Sequence, residues 1–162
     1  MAETKGITYI RMMLDILGKK EISLQALLEL TTAQEKLLKE ELFNEDGFTE
    51  LMKQKSDQLR KIEEFDNGFQ SIYNRVAEEI QNNKEEYKDQ ILEMQGLITR
   101  VTDYGVKLTA LEEKNKASLE GKFREKKQSI RQFKVSKETA NKYYKNMIGM
   151  KTGASYFMDQ KK

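Results

Sequence analysis

The chain has 162 residues, of which 35% are charged and 38% apolar, and it contains no proline, cysteine, histidine or tryptophan. An average chain of this length carries about 8 prolines at ~5% usage. The missing residue types exclude a disulfide framework, a thiol nucleophile, a Cys/His zinc site and any histidine base or Ser-His-Asp triad. A cysteine-free chain suits a reducing compartment. No apolar run approaches the ~20 residues of a membrane-spanning helix, and Arg11 and Asp15 interrupt the apolar residues of the first seventeen. That pattern reads as neither a signal peptide nor a membrane anchor, and a cytoplasmic location is expected.

Net charge is +2 but unevenly placed. Residues 1–105 hold 14 basic and 21 acidic side chains, a net of −7; residues 106–162 hold 15 and 6, a net of +9. Such asymmetry marks either an acidic body with a basic tail or a nucleic-acid or membrane contact. The first reading is preferred, because the cations are mostly lysines dispersed among helix formers.

The first predicted tract covers about 7–43. Ile7, Ile10, Leu14 and Leu17 follow three- and four-residue steps, and the stripe resumes through Leu24, Leu27, Leu28, Leu30, Leu37 and Leu38, the pattern of one helix face. Gly18-Lys19-Lys20 reads as a helix end, so a break or kink is expected there. Asn44-Glu45-Asp46-Gly47 is the clearest punctuation, with Asn44 or Asp46 as the cap of the next helix.

The second tract, about 46–80, reads Phe48, Met52, Lys55, Leu59, Ile62, Phe65, Phe69, Tyr73, Val76 and Ile80. Lys55 is a charge within the stripe. The preferred expectation is a lysine at the seam edge, stem buried and ammonium in water; the sharper alternative is a buried ion pair. Gln81-Asn82-Asn83 reverses the chain. The third tract, about 84–133, reads Tyr87, Ile91, Met94, Ile98, Val101, Gly105, Leu108, Leu111, Asn115, Leu119, Phe123, Ile130 and Phe133. It is expected to overhang the second, with Asn115 fixing register as a polar seam residue does in coiled coils.

Short loops between long stripes give antiparallel neighbours. The expected fold is all-α: an elongated antiparallel bundle or coiled coil of three long helices over 1–133, with a flexible or helical carboxy-terminal tail over 134–162. A monomer and a homodimer sharing its seam are both open at this stage.

The tail changes character. It holds three of seven tyrosines, three of eight methionines, and seven lysines against Glu138 and Asp159. Tyr143, Tyr144, Met147 and Ile148 fall on one helical face, and Met150, Tyr156 and Phe157 extend the apolar surface toward the end. Two readings stand level: docking on the chain's own body, or an adhesive arm for another protein, a role that suits Met and Tyr. These seven residues are the candidate partner-binding set.

Chemistry is otherwise thin. Glu63-Glu64, Glu78-Glu79 and Glu85-Glu86 are adjacent and do not face one direction on a helix. A di-iron bundle needs Glu-x-x-His pairs, and no phosphate-binding glycine loop occurs. The chain reads as a non-enzyme with no cofactor or metal. Lys122, Arg124, Lys126, Lys127 and Arg131 spread around a helix with no nucleic-acid reader motif. The short Tyr156-Phe157-Met158 patch gives at most an interfacial contact, not stable membrane insertion.

The layout resembles the FlgN-type flagellar export chaperones. The likeness rests on the Leu-rich helix from Leu24 to Leu38 (LQALLELTTAQEKLL), on Leu51, Lys55 and Leu59 at four-residue steps in the next helix, and on the closing Tyr143-Tyr144-Lys145-Asn146-Met147 and Tyr156-Phe157-Met158. It covers about residue 20 to the end and consists of degenerate helical patterns. The resemblance implies a small cytoplasmic protein with an antiparallel helical body and a mobile carboxy-terminal segment. By it, the chain binds hook-associated (hook–filament junction) proteins, prevents their premature assembly and delivers them to the export gate of the flagellar type III apparatus. It further implies that Tyr143, Tyr144, Met147 and Ile148 contact the cargo's terminal helix.

Overall fold

The computed structural model describes residues 5–125. They form three long helices and no strand: α1 (Lys5–Lys39), α2 (Glu45–Asn82) and α3 (Lys88–Glu125). At 1.5 Å per residue each rod is roughly 50–60 Å long. The all-α bundle expected from the periodicity is the fold observed.

Each helix presents an unbroken seam spaced alternately by four and three residues, with ten positions on α1, ten on α2 and nine on α3. On α1 these are Gly6, Ile10, Met13, Leu17, Lys20, Leu24, Leu27, Thr31, Gln34 and Leu38. On α2 they are Phe48, Met52, Lys55, Leu59, Ile62, Asp66, Phe69, Tyr73, Val76 and Ile80. On α3 they are Ile91, Met94, Ile98, Val101, Gly105, Leu108, Glu112, Asn115 and Leu119, and Tyr87 at the end of the preceding turn continues the series one step back. All are buried except the half-buried Asp66, Ile91 and Gly105. A seven-residue repeat keeps one stripe facing its neighbours only if the helices wind around each other in a left-handed sense.

Cross-links fix the register. Arg100 bonds Glu21, and Gln25 donates to the Tyr104 hydroxyl, both at a separation of 79 residues, so α1 and α3 run parallel in step. Lys20 meets Asp66, and Lys55 meets Gln34 and Glu112, so α2 runs against both. In that register the seams fall into matched levels, from Gly6, Ile80 and Tyr87 at one end to Leu38, Phe48 and Leu119 at the other.

The turns follow local chemistry. Asn44 caps α2: its side-chain oxygen accepts from the Gly47 N–H at 2.9 Å. Glu45 and Asp46 put negative charge on the first turn, where the helix dipole favours it. Phe43 before the cap meets Phe48 edge-on, ring centroids 5.6 Å apart, a hydrophobic staple that sets the entry angle. A Cβ at residue 47 would come within 2.6 Å of the Asn44 amide, which explains glycine there. At the other end the Asn83 N–H reaches the Ile80 carbonyl at 3.2 Å and closes α2.

Three expectations are corrected. Gly18-Lys19-Lys20 is not a break: α1 is continuous, because Lys20 points inward to Asp66 instead of ending a helix. The α2–α3 turn runs to Tyr87, so α3 starts at Lys88 rather than 84, while the expected overhang of the third tract falls on residues 126–133, outside the described residues. Lys55 is not at the seam edge; it is fully buried in an ion pair. The segment before residue 20 does join the core, with Ile10, Met13 and Leu17 buried while Met12 faces outward.

Candidate functional site

Tyr143, Tyr144, Met147, Ile148, Met150, Tyr156 and Phe157 lie outside the described residues, as do Ile130 and Phe133 of the third tract. The body itself offers two features: polar levels inside the seam and an open flank between α2 and α3.

The core consists of two apolar clusters. One gathers Ile10, Met13, Leu17, Phe69, Tyr73, Val76, Ile80, Tyr87, Met94 and Ile98. The other gathers Leu24, Leu27, Leu38, Phe43, Phe48, Met52, Leu59, Ile62, Val101, Leu108 and Leu119. The Lys20–Asp66 pair, 2.6 Å long, sits at the level where the two meet. Burial raises the Asp66 carboxyl above its ordinary value, with the Lys20 ammonium pulling the other way.

A second polar group lies deeper in the second cluster. Lys55 is 0% exposed and Glu112 2%, and the two form an ion pair. The Lys55 ammonium also donates to Gln34 Oε1 at 2.6 Å, and Gln34 Nε2 donates to the Phe48 carbonyl at 3.4 Å. The Thr31 hydroxyl donates to the Leu27 carbonyl at 2.7 Å and lies 3.0 Å from Glu112 Oε1. Asn115 Nδ2 donates to the Thr31 carbonyl at 3.0 Å, while its Oδ1 has no hydrogen-bond partner in the structure. Burial lowers the Lys55 pKa below the ordinary lysine value, against the pull of Glu112. Lys55 on α2, Gln34 and Thr31 on α1, and Glu112 and Asn115 on α3 are joined in this way, so the network couples three helices. Each atom it satisfies removes a desolvation cost.

The apolar-stripe reading passed over Lys20, Thr31, Gln34, Asp66 and Glu112, and took Phe65 and Leu111 in place of the last two. The strict alternation of fours and threes was the signal that would have found them.

The flanks differ. α1 packs closely on both other helices, while the backbones of α2 and α3 stay apart along most of their length. Across the α1–α3 flank, Glu21 pairs with Arg100 at 2.8 Å and Glu35 with Lys114 at 3.0 Å. The Lys114 hydrogen bond holds the Glu35 carboxyl below its ordinary value. The α2–α3 flank opens instead into a groove at its turn end, lined by Ile80, Lys84, Glu85, Lys88, Ile91, Leu92 and Gln95.

Among the described residues no group of three or more acidic side chains is placed to hold a metal ion, and no helix is long and apolar enough to cross a membrane. No family model, curated protein or solved structure matches the chain.

Proposed function

We propose that the chain is a FlgN-type export chaperone, a cytoplasmic carrier of flagellar hook-associated proteins that holds them back from premature assembly and presents them to the type III export gate. The observation that supports it is a division of labour along the chain. The helical body fills its own seam, and its buried ionisable groups are engaged with each other. The tyrosine- and methionine-rich surplus falls in residues 134–162. Capping a cargo's apolar terminal helix shifts it away from self-assembly by mass action, with no nucleotide needed. A segment that orders on binding keeps affinity moderate, which permits hand-over to a competing binder at the gate.

The test is direct binding of the purified full chain to purified hook–filament junction proteins, by calorimetry. The wild-type chain binds one of them. A full-length variant with Tyr143, Tyr144, Met147 and Ile148 all changed to alanine keeps its helical circular dichroism and loses at least tenfold in affinity. Absence of binding to every junction protein rejects the carrier reading; binding unchanged in the variant rejects the tail as its site. A second reading, a coiled-coil interaction protein without cargo, draws on the unbroken seam of the three helices, and the first of these outcomes favours it.

A further inference from the structure

One face of α3 is out of keeping with a chain that is 35% charged. Leu92, Gln95, Thr99, Thr102, Val106 and Thr109 recur at three- and four-residue steps on the side of the helix away from its α1 cross-links. Leu92 and Gln95 line the α2–α3 groove, so this side borders α2. Leu92 is 56% and Val106 61% exposed. The Thr99 and Thr109 hydroxyls donate back to the carbonyls of Gln95 and Gly105, at 2.9 and 2.8 Å. What remains of those two side chains is methyl surface. Asp103, at the outer edge, is the single charge among the residues of this side between 92 and 110. Solvated helix faces elsewhere on the body carry paired opposite charges, as at Asp15–Lys19 and Asp57–Arg60.

We infer that this charge-poor face of α3, on the open α2–α3 flank, is the resting seat of the chain's own carboxy-terminal segment, residues 134–162. Charge supports that occupant. Residues 5–125 hold 19 basic and 24 acidic side chains, a net of −5; residues 126–162 hold 10 and 2, a net of +8. Length supports it as well. From Glu125 back to Leu92 along α3 is about 50 Å at 1.5 Å per residue, and the 37 residues that follow Glu125 span about 55 Å even when wholly helical. Composition agrees, since the spacing of Tyr143, Tyr144, Met147 and Ile148 would gather them on one face of a helix, with Lys142 and Lys145 off it. An amphipathic segment laid along a groove is a standard recognition geometry. The inference goes beyond the carrier reading and does not require it.

The chain has no cysteine, so a single introduced thiol reports cleanly. The full-length Val106→Cys protein is treated with a maleimide alone in solution, with no cargo. The same measurement is made on full-length Val106→Cys carrying Met147→Asp and Ile148→Asp, and on Ile22→Cys, which sits on the outer face of α1 at 67% exposure. The expected result is a Val106→Cys rate at least fivefold faster with the two aspartates than without them, with Ile22→Cys indifferent to the same pair. Equal Val106→Cys rates overturn the inference. Protection that disappears on tenfold dilution also overturns it, because the cover is then a second copy. Because no junction protein is present, failure here leaves the carrier reading standing, and failure to bind cargo leaves this one standing.

Discussion

Lys55 on α2 and Glu112 on α3 form an ion pair across the only flank of the bundle where the two backbones stay apart, with 0% and 2% of the respective residues exposed to solvent. The two long side chains span a gap that shorter residues would leave empty. Such a pair adds little net stability, because desolvating both charges consumes most of the attraction, yet deleting one partner strands the other. Lys55→Met should therefore cost about 3–5 kcal/mol, while Lys55→Met with Glu112→Leu should recover most of that loss or exceed the wild type. Urea midpoints of the three proteins check this. A double variant as unstable as the single one would show that the pair contributes directly rather than specifying the level.

The Lys20–Asp66 level carries a pH signature. Burial raises the Asp66 carboxyl above 3.8 in the folded chain, so just above pH 3.8 the native state binds more protons than the unfolded state. Stability contributed by this group then falls as pH rises from 3.8 through the folded pKa. Asp66→Asn removes that component. The stability difference, wild type minus Asp66→Asn, should decline from pH 3.5 to pH 6 as measured by urea unfolding. A difference that grows with pH would mean that the Lys20 attraction outweighs burial.

Much of this body is legible in the sequence, and the parts that are not share one cause. Ile10, Leu17, Met52, Leu59, Ile98 and Leu108 announce their helices by hydrophobicity and spacing together. Lys20, Thr31, Gln34, Asp66 and Glu112 hold seam positions by spacing alone, and their polarity argues against burial until the partner on another helix is known. Lys20 after Gly18 and Lys19 has the local look of a helix end, and only Asp66, 46 residues away, reverses that reading. The open α2–α3 flank is hidden for a related reason. Leu92 lies two residues from the core member Met94 and Val106 two from the core member Leu108, so they merge into a generally apolar stretch until the α1 cross-links show which side of α3 is already covered.

Two glycines on α1 should respond in opposite directions to the same substitution. A Cβ at Gly18 meets nothing within 4 Å, so Gly18→Ala should stabilise by about 0.5–1 kcal/mol through helix propensity. A Cβ at Gly6 would overlap the Tyr87 hydroxyl and its ring carbon. That hydroxyl donates to Glu79 at 3.1 Å at the level where all three helices meet the α2–α3 turn. Gly6→Ala should therefore destabilise by about 1–3 kcal/mol, overpacking outweighing propensity. Thermal unfolding of both variants tests the pair. A kinked or broken α1 at Gly18 would instead make Gly18→Ala destabilising.

Asn115 tests whether its level is kept for stability or for register. Its Nδ2 bond to the Thr31 carbonyl is offset by Oδ1, which is buried with no hydrogen-bond partner in the structure. A buried acceptor without a donor costs about 1–3 kcal/mol, comparable to or larger than the net gain of about 1 kcal/mol from a neutral hydrogen bond. Leucine at the same position adds apolar burial beside Met52, its counterpart on α2 at that level, and beside the core member Leu119. Asn115→Leu should thus raise the urea midpoint, by the equivalent of about 1 kcal/mol. The cost should appear as lost specificity, because a polar seam residue penalises registers and oligomers that leave it facing apolar neighbours. Sedimentation equilibrium should then show more than one species for Asn115→Leu at concentrations where the wild type shows one. A variant that is less stable than wild type, with a single species, would place Asn115 among the stabilising contacts of the seam instead.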